Sequence, residues 1–329
     1  MFHVVNTDVF DRKVLDDLCR LTNVVRSVAK SREGARFLQE TLPSKRAMLY
    51  FTQPSTRTFL SMNNACHILG IRTNEIRDPE VSSEVKGETF EDSIRTFSSY
   101  VDLIVMRTPE AGYAARAAAL MDSIPRPVPI INAGSGKDQH PTQALLDIYT
   151  LERSFEDRGG IEGKTIGMMG DLRRGRTVRS LSRLLRHYRD VRIVYIAPAA
   201  YEMEPDIKAF LSEHDVPYTE TSELHDCLPE LDAIYVTRMQ SEHDIDGEAS
   251  GGVDLAPFTI GTRELGMLAD HAAVLHPLPR GPEIHPDVDA DPRAMYWRQE
   301  RNGMWMRVAL IATLFGADAE IFDGAHRYE

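Results

Sequence analysis

Cysteine and tryptophan are scarce in this chain, whose 329 residues hold three of the first and two of the second. Cys19, Cys66 and Cys227 are far apart and form no C-x-x-C pair. That excludes a disulfide framework or a cysteine-built zinc site and fits a reducing cytoplasm, so no metal is expected. No apolar run reaches the roughly 18 residues of a membrane span. The opening M-F-H-V-V-N-T-D lacks a basic n-region and an apolar h-region, and no signal peptide is expected. Internal repeats and low-complexity tracts are missing as well. Positive charge is in deficit: 38 Lys and Arg stand against 50 Asp and Glu, a net charge of -12. Such a chain repels nucleic acid and anionic membrane surfaces, and neither is expected as a partner. Any anion it binds must meet a local basic cluster.

What is present is apolar material in a repeating order. Hydrophobic residues make up 42% of the chain, and the length suits about two domains. Val14, Leu15, Leu18, Leu21, Val24, Val25 and Val28 recur at helical spacing, which predicts an amphipathic first helix. Short apolar runs follow at 47–51, 102–106, 128–131, 165–169, 192–196, 233–236 and 273–275. Each is bounded by polar or turn residues and is too short for a helix. Helix-like segments lie between most of them, such as Thr177 to Tyr188, with a longer one near 141–154. The alternation predicts an α/β protein of two Rossmann-like domains, each a parallel sheet flanked by helices, joined by that longer helix. Arg293 to Phe315 also reads as largely helical, with Gly316 as its C-cap.

Ligands of open parallel sheets gather at the carboxyl ends of the strands. Phe51 to Thr58, F-T-Q-P-S-T-R-T, leaves an apolar run for Ser, Thr and Arg. Ser and Thr start helices, and a helix start offers free N–H donors and positive dipole to an anion. Arg57 adds a fork of donors shaped for phosphate or carboxylate. An ordinary capped helix with a surface Arg is the plain alternative. The pattern recurs, however: Arg107 follows Met106, His140 and Gln143 follow the 128–131 run, and Arg176 follows Met169. Arg238 and Gln240 follow Val236, and H-P-L-P-R follows Leu275. Together they describe a site for a ligand with several negative charges. Two other motifs fail on inspection. Gly163-Lys164-Thr165 lacks the earlier P-loop glycine, where Arg158 stands, and Gly134-x-Gly136 has Gln139 at the third glycine position, so no nucleotide cofactor is expected.

P-S-T-R-T (54–58), K-G-E-T (86–89), V-M-R-T-P (105–109), Q-H-P-T-Q (139–143), G-D-L-R-R-G-R-T (170–177), T-R-M-Q (237–240) and H-P-L-P-R (276–280) occur in this order. This ordered set resembles the aspartate/ornithine carbamoyltransferase family from about residue 45 to about residue 315. H-P-L-P-R is similar to the aspartate enzymes, because Pro277 stands where the ornithine enzymes carry a cysteine. Guanidinium groups at Arg176 and Arg238 also suit two carboxylates, whereas ornithine's extra ammonium would want anionic partners. The resemblance implies transfer of the carbamoyl group of carbamoyl phosphate to the amine of L-aspartate, in pyrimidine biosynthesis, without cofactor or metal. It implies a carbamoyl phosphate domain of residues 1–145 with helix 303–329, and an aspartate domain of 146–302. Ser55, Thr56, Arg57 and Thr58 would cradle the phosphate, with Arg107 on phosphate and carbonyl and His140 on the carbonyl oxygen. Gln143 and the backbone carbonyls of Pro277 and Leu278 would hold the carbamoyl nitrogen, Leu278 also bordering the aspartate. Arg176, Arg238 and Gln240 would take the aspartate carboxylates. Ser82 and Lys86 would reach a neighbouring subunit's site in a homotrimer, and a larger assembly with regulatory or pathway chains stays open. Glu242 and Glu283 match positions that pair with arginines to hold a loop closed.

The chain departs from the family pattern at Phe59 and Asn63, where Arg and Glu are usual. Those places are four apart on a helix, an ion-pair spacing. Either Phe59 replaces a structural brace with packing, or it alters the phosphate pocket. Gln53 is a further departure, and the Gly-rich stretch 243–254 looks longer than in short bacterial relatives. A carbamoyltransferase for another amino acid, or an inactive scaffold homologue, are the competing readings. Against the scaffold, every strand-end donor is retained.

Overall fold

The computed structural model describes residues 2–78, 87–136, 139–239 and 254–328. The elements open with α1 (Arg12–Val28), α2 (Arg32–Gln39), β1 (Arg46–Phe51), α3 (Thr56–Ile68) and β2 (Arg72–Ile76). They continue with α4 (Phe90–Tyr100), β3 (Leu103–Arg107), α5 (Tyr113–Asp122), β4 (Ile130–Asn132) and α6 (Pro141–Ser154). Then come β5 (Thr165–Met169), α7 (Arg176–Leu185), β6 (Arg192–Ile196), α8 (Pro205–Glu213) and β7 (Tyr218–Thr221). The last are α9 (Leu224–Cys227), β8 (Ala233–Val236), α10 (Thr262–Leu265), β9 (Ala273–Leu275), α11 (Tyr296–Leu314) and α12 (Asp318–Ala325). Two compact units result, Met1–Leu145 with Arg301–Glu329, and Leu146–Glu300. The first boundary falls inside α6 and the second inside α11. No helix among the described residues is long and apolar enough to cross a membrane.

The first unit holds a parallel sheet in the order β2-β1-β3-β4, so the chain reverses direction across the sheet after β2. Register pairs Phe51 with Arg107 and Met106 with Asn132, which aligns three carboxyl ends. β1 is buried from Ala47 to Phe51 and β3 throughout, because helices cover both faces and remove any need for alternation. Tyr50, Phe97, Ile104, Met106 and Ile130 form part of the core on one face. α1 buries Leu15, Leu18, Leu21, Thr22, Val25 and Val28 on one stripe, and Asp11 caps it by accepting from the Val14 N–H at 2.8 Å.

The second unit holds a parallel sheet in the order β7-β6-β5-β8-β9. Its core includes Ile196, Leu231, Ile234, Val236, Phe258, Val274 and Tyr296. β2 and β7 are the two strands that short apolar runs do not announce. Both lie at sheet edges, and their sequences R-T-N-E-I and Y-T-E-T contain no buried residue. An edge strand needs no continuous burial, so it leaves no apolar run to find. α11 ends as its sequence predicts. Gly316 takes φ +67°, its N–H reaches the Thr313 carbonyl, and the Ala317 N–H reaches the Ala312 carbonyl at 2.9 Å.

Candidate active site

In the first unit, Ser55 precedes α3 in an extended conformation, and its hydroxyl makes no capping hydrogen bond to the helix. Thr56 and Arg57 begin the helix exposed, and Thr58 is buried. The first-turn N–H groups have no carbonyl partner within the helix. Arg107 ends β3 beside the end of β1, where its carbonyl accepts from the Gln53 N–H at 3.1 Å. The Arg107 side chain is buried, and its Nη1 donates to the Ala133 carbonyl at 3.1 Å.

The chain after β4 folds back through a tight turn. Asn132 Oδ1 accepts from the Gly134 N–H at 2.8 Å, and the Gly136 N–H donates to the Thr108 carbonyl at 3.0 Å. Gly134 sits at φ +93°, in the left-handed region. A Cβ there would lie 2.7 Å from His140 Cδ2 and 2.9 Å from Arg107 Nη1. Arg107 and His140 therefore converge on the glycine's vacant side-chain position. His140 is buried and caps α6, its carbonyl accepting from the Gln143 N–H at 3.0 Å, with Pro141 at the first helical position. Gln143 is buried on the first turn of the same helix. Asn132, Gly134 and Ser135 shape this turn but carry no charge, and only their place after an apolar run pointed to them.

In the second unit, β5 and β8 meet at their carboxyl ends. The Thr237 N–H donates to the Met169 carbonyl at 2.7 Å, and Gly170 takes φ +126°. A Cβ on Gly170 would fall 2.2 Å from the Thr237 carbonyl oxygen, so only glycine allows this approach. Asp171, fully buried, accepts from the Arg174 N–H at 3.0 Å and holds the turn that starts α7 at Arg176. Arg238, half-buried, lies two residues past β8, its Cδ 3.8 Å from where a Cβ of Gly281 would be. Arg176 and Arg238 thus leave neighbouring strand ends.

After β9, His276 is buried and the chain turns through Pro277 and Leu278, Leu278 at φ +49°. The peptide between Leu278 and Pro279 is cis. His276 Nε2 lies 2.8 Å from Glu283 Oε1, and both side chains are buried. Burial pushes the Glu283 carboxyl upward, but the His276 and Gly281 N–H donors outweigh it and hold it below its ordinary value. Glu283 thus has a buried histidine partner, and its Oε2 and Arg238 Cδ lie 2.8 and 3.8 Å from the same point, the place a Cβ of Gly281 would occupy. Arg280 departs from the strand-end pattern too. Its Nη2 donates to Asp289 Oδ2 at 2.6 Å and its guanidinium lies over the Trp297 ring, which makes it a local brace. Ser82, Lys86, Gln240, Glu242 and positions 243–253 lie outside the described residues. Among the described residues no group of three His, Cys, Asp or Glu side chains is placed to hold a metal.

Phe59 is buried, its ring 5.5 Å from that of Phe51 at an edge-on angle of 87°, and the Arg77 guanidinium lies 4.3 Å from its centroid. Asn63 accepts from the Thr73 hydroxyl at 2.8 Å. Both unusual residues therefore serve packing between α3, β1 and the β2 region.

Two parallel-sheet units, each with guanidinium groups near its strand ends, fit a two-domain α/β enzyme of the kind that handles anionic metabolites. The chain belongs to the aspartate/ornithine carbamoyltransferase family: the family's carbamoyl-P binding domain matches residues 3–153 and its Asp/Orn binding domain matches residues 162–314. It is 41% identical over 319 residues to aspartate carbamoyltransferase 3, chloroplastic, of Pisum sativum, covering 94% of this chain and 77% of the relative. It is 41% identical over 291 residues to the aspartate carbamoyltransferase catalytic subunit of Thermococcus gammatolerans, covering 86% and 91%. Aspartate transcarbamoylase from Trypanosoma cruzi, solved with N-(phosphonacetyl)-L-aspartic acid, superposes with a TM-score of 0.81 at 33% identity, covering 94% of each chain.

Proposed function

We propose that this chain is an aspartate carbamoyltransferase, forming N-carbamoyl-L-aspartate and phosphate from carbamoyl phosphate and L-aspartate. The observation that carries the reading is the convergence of buried Arg107 and His140 over Gly134, in the unit whose α3 begins with an uncapped helix start. Relatives and solved structures of the same name support it. Ser55, Thr56, Arg57 and Thr58 receive the phosphate at the start of α3. Arg107 and His140 face the carbonyl oxygen, and Gln143 takes the carbamoyl nitrogen together with the Pro277 and Leu278 carbonyls. Arg176, Arg238 and Gln240 bind the aspartate carboxylates.

No covalent enzyme intermediate is required. The deprotonated amine of aspartate attacks the carbamoyl carbon, the C–O bond to phosphate breaks, and the amine's surplus proton leaves to the departing phosphate. Negative charge developing on the carbonyl oxygen meets fixed donors from Thr58, Arg107 and His140. Holding both reactants removes the entropy cost of their encounter, an effect that reaches about 7–11 kcal/mol in well-oriented systems. The test is product formation with aspartate, ornithine and acetylated ornithine as competing acceptors. Carbamoylation of aspartate alone is expected, and its absence defeats the reading.

Three finer statements belong to the same proposal. The Met1–Leu145 unit with Arg301–Glu329 binds carbamoyl phosphate and the Leu146–Glu300 unit binds aspartate. The chain forms a homotrimer in which Ser82 and Lys86 complete a neighbour's site. Mixing inactive Lys86→Ala and Arg57→Ala chains then restores activity, and no restoration refutes sharing. The enzyme works in the cytoplasm, in keeping with three cysteines that form no disulfide.

A further inference from the structure

A continuous buried network lies behind the Pro277–Leu278 turn. The Leu278 N–H donates to His276 Nδ1 at 2.8 Å. On the other side of the same ring, Nε2 meets Glu283 Oε1 at 2.8 Å, and that oxygen also accepts from the Gly281 N–H at 2.7 Å. The His276 N–H donates to Gln299 Oε1 at 2.9 Å, and Gln299 Nε2 donates to Asp147 Oδ1 at 2.7 Å. The Tyr235 hydroxyl donates to the second Asp147 oxygen at 2.9 Å. His276, Gln299, Asp147 and Tyr235 are essentially sealed from solvent, and Glu283 is 5% exposed.

The contacts determine the imidazole tautomer. Nδ1 faces an N–H donor, so it must carry a lone pair. Nε2 faces a carboxylate, so it must carry the proton. The other tautomer would set two N–H groups against each other at Nδ1 and leave Glu283 without its imidazole donor, an arrangement costly to bury. With the tautomer held, His276 Nδ1 draws the Leu278 N–H back onto the ring, and the turn passes through a left-handed Leu278 that is unfavourable for a branched apolar residue. The direction of the Pro277 and Leu278 carbonyls follows from that turn.

We propose that Glu283 and His276 are positioning residues for carbamoyl transfer: by fixing tautomer and turn, they aim the Pro277 and Leu278 carbonyls at the carbamoyl NH2. The inference rests on the proposed carbamoyltransferase reading and deepens it. Neither side chain is assigned a contact with substrate, and both are buried. Their effect is selective, because only a ligand with N–H donors uses those carbonyls. Acetyl phosphate carries a methyl group where carbamoyl phosphate carries NH2, so the ratio of affinities for the two reports carbonyl aim and not general integrity.

The experiment measures kcat/KM for carbamoyl phosphate and the inhibition constant of acetyl phosphate in the full chain. Glu283→Ala and His276→Ala are expected to lower kcat/KM about tenfold or more while acetyl phosphate inhibition stays within about twofold of wild type. Glu283→Gln, whose amide oxygen still accepts from both N–H groups, is expected to keep most of the discrimination. His276→Asn, which places an oxygen near the Nδ1 position, is expected to exceed His276→Ala and serves if the alanine variants do not fold. Equal losses for both ligands, an unchanged ratio in Glu283→Ala, or a Glu283→Gln variant as impaired as Glu283→Ala overturn the assignment. A wild-type chain that makes no N-carbamoyl-aspartate instead removes the underlying reading.

Discussion

The Arg107 guanidinium and the His140 ring meet across the α-carbon of Gly134, each within 3 Å of the place a Cβ would occupy. A strand end and a helix start are thereby joined at one point with no room for a further methyl group. Gly134→Ala tests the convergence. The new methyl must displace both side chains, and φ +93° strains any residue with a Cβ. A misplacement of about 1 Å at a reacting centre costs about 10²-fold in rate. Steady-state kinetics on the purified variant are expected to show a kcat loss of that order.

Arg57 gives a different signature. It is exposed on the first turn of α3, so Arg57→Ala opens no cavity in the core. Transition-state stabilisation should fall by more than about 2.7 kcal/mol, the range for a lost oxyanion donor. Near wild-type kcat/KM in a fully folded variant would remove Arg57 from the phosphate cradle.

Phe59 distinguishes a packing role from a pocket role. Phe59→Ala leaves a cavity against Phe51 and below Arg77, at a cost of about 3–5 kcal/mol. Urea unfolding should show that loss while KM for carbamoyl phosphate changes little. A large KM change with unaltered stability would make Phe59 part of the phosphate pocket.

Glu283 predicts a pH dependence of stability. Its folded carboxyl titrates below its ordinary value of 4.5, so the charged form is the one favoured by the fold. Its contribution is complete above 4.5 and is lost as pH falls through the lowered folded value. Wild type should be more stable than Glu283→Gln near neutrality, and urea midpoints should draw together as acid protonates the carboxyl. A gap that widens in acid would contradict the charge assignment.

Much of this architecture is legible in the residues, and the exceptions are physical. β5 at Thr165–Met169 coincides with its apolar run because helices cover both faces of a central strand. β2 and β7 escape notice because edge strands tolerate Arg, Glu and Thr. Arg57, Arg107 and His140 stand out through charge after an apolar run, whereas Arg280 shows the same pattern and pairs with Asp289. Gly134 looked like part of a failed dinucleotide motif, yet its missing side chain is what lets Arg107 and His140 approach. The bonds from Asp147 to Tyr235 and Gln299 join residues 88 and 152 positions apart, a separation at which no local pattern survives.

The most direct measurement is a calorimetric titration with N-(phosphonacetyl)-L-aspartate of wild type, Arg107→Ala and Arg238→Ala. Wild type is expected to bind one equivalent per chain, and each variant to weaken binding about tenfold or more, the worth of a hydrogen bond to a charged group. Undiminished affinity in either variant, or no binding by wild type, would contradict the account.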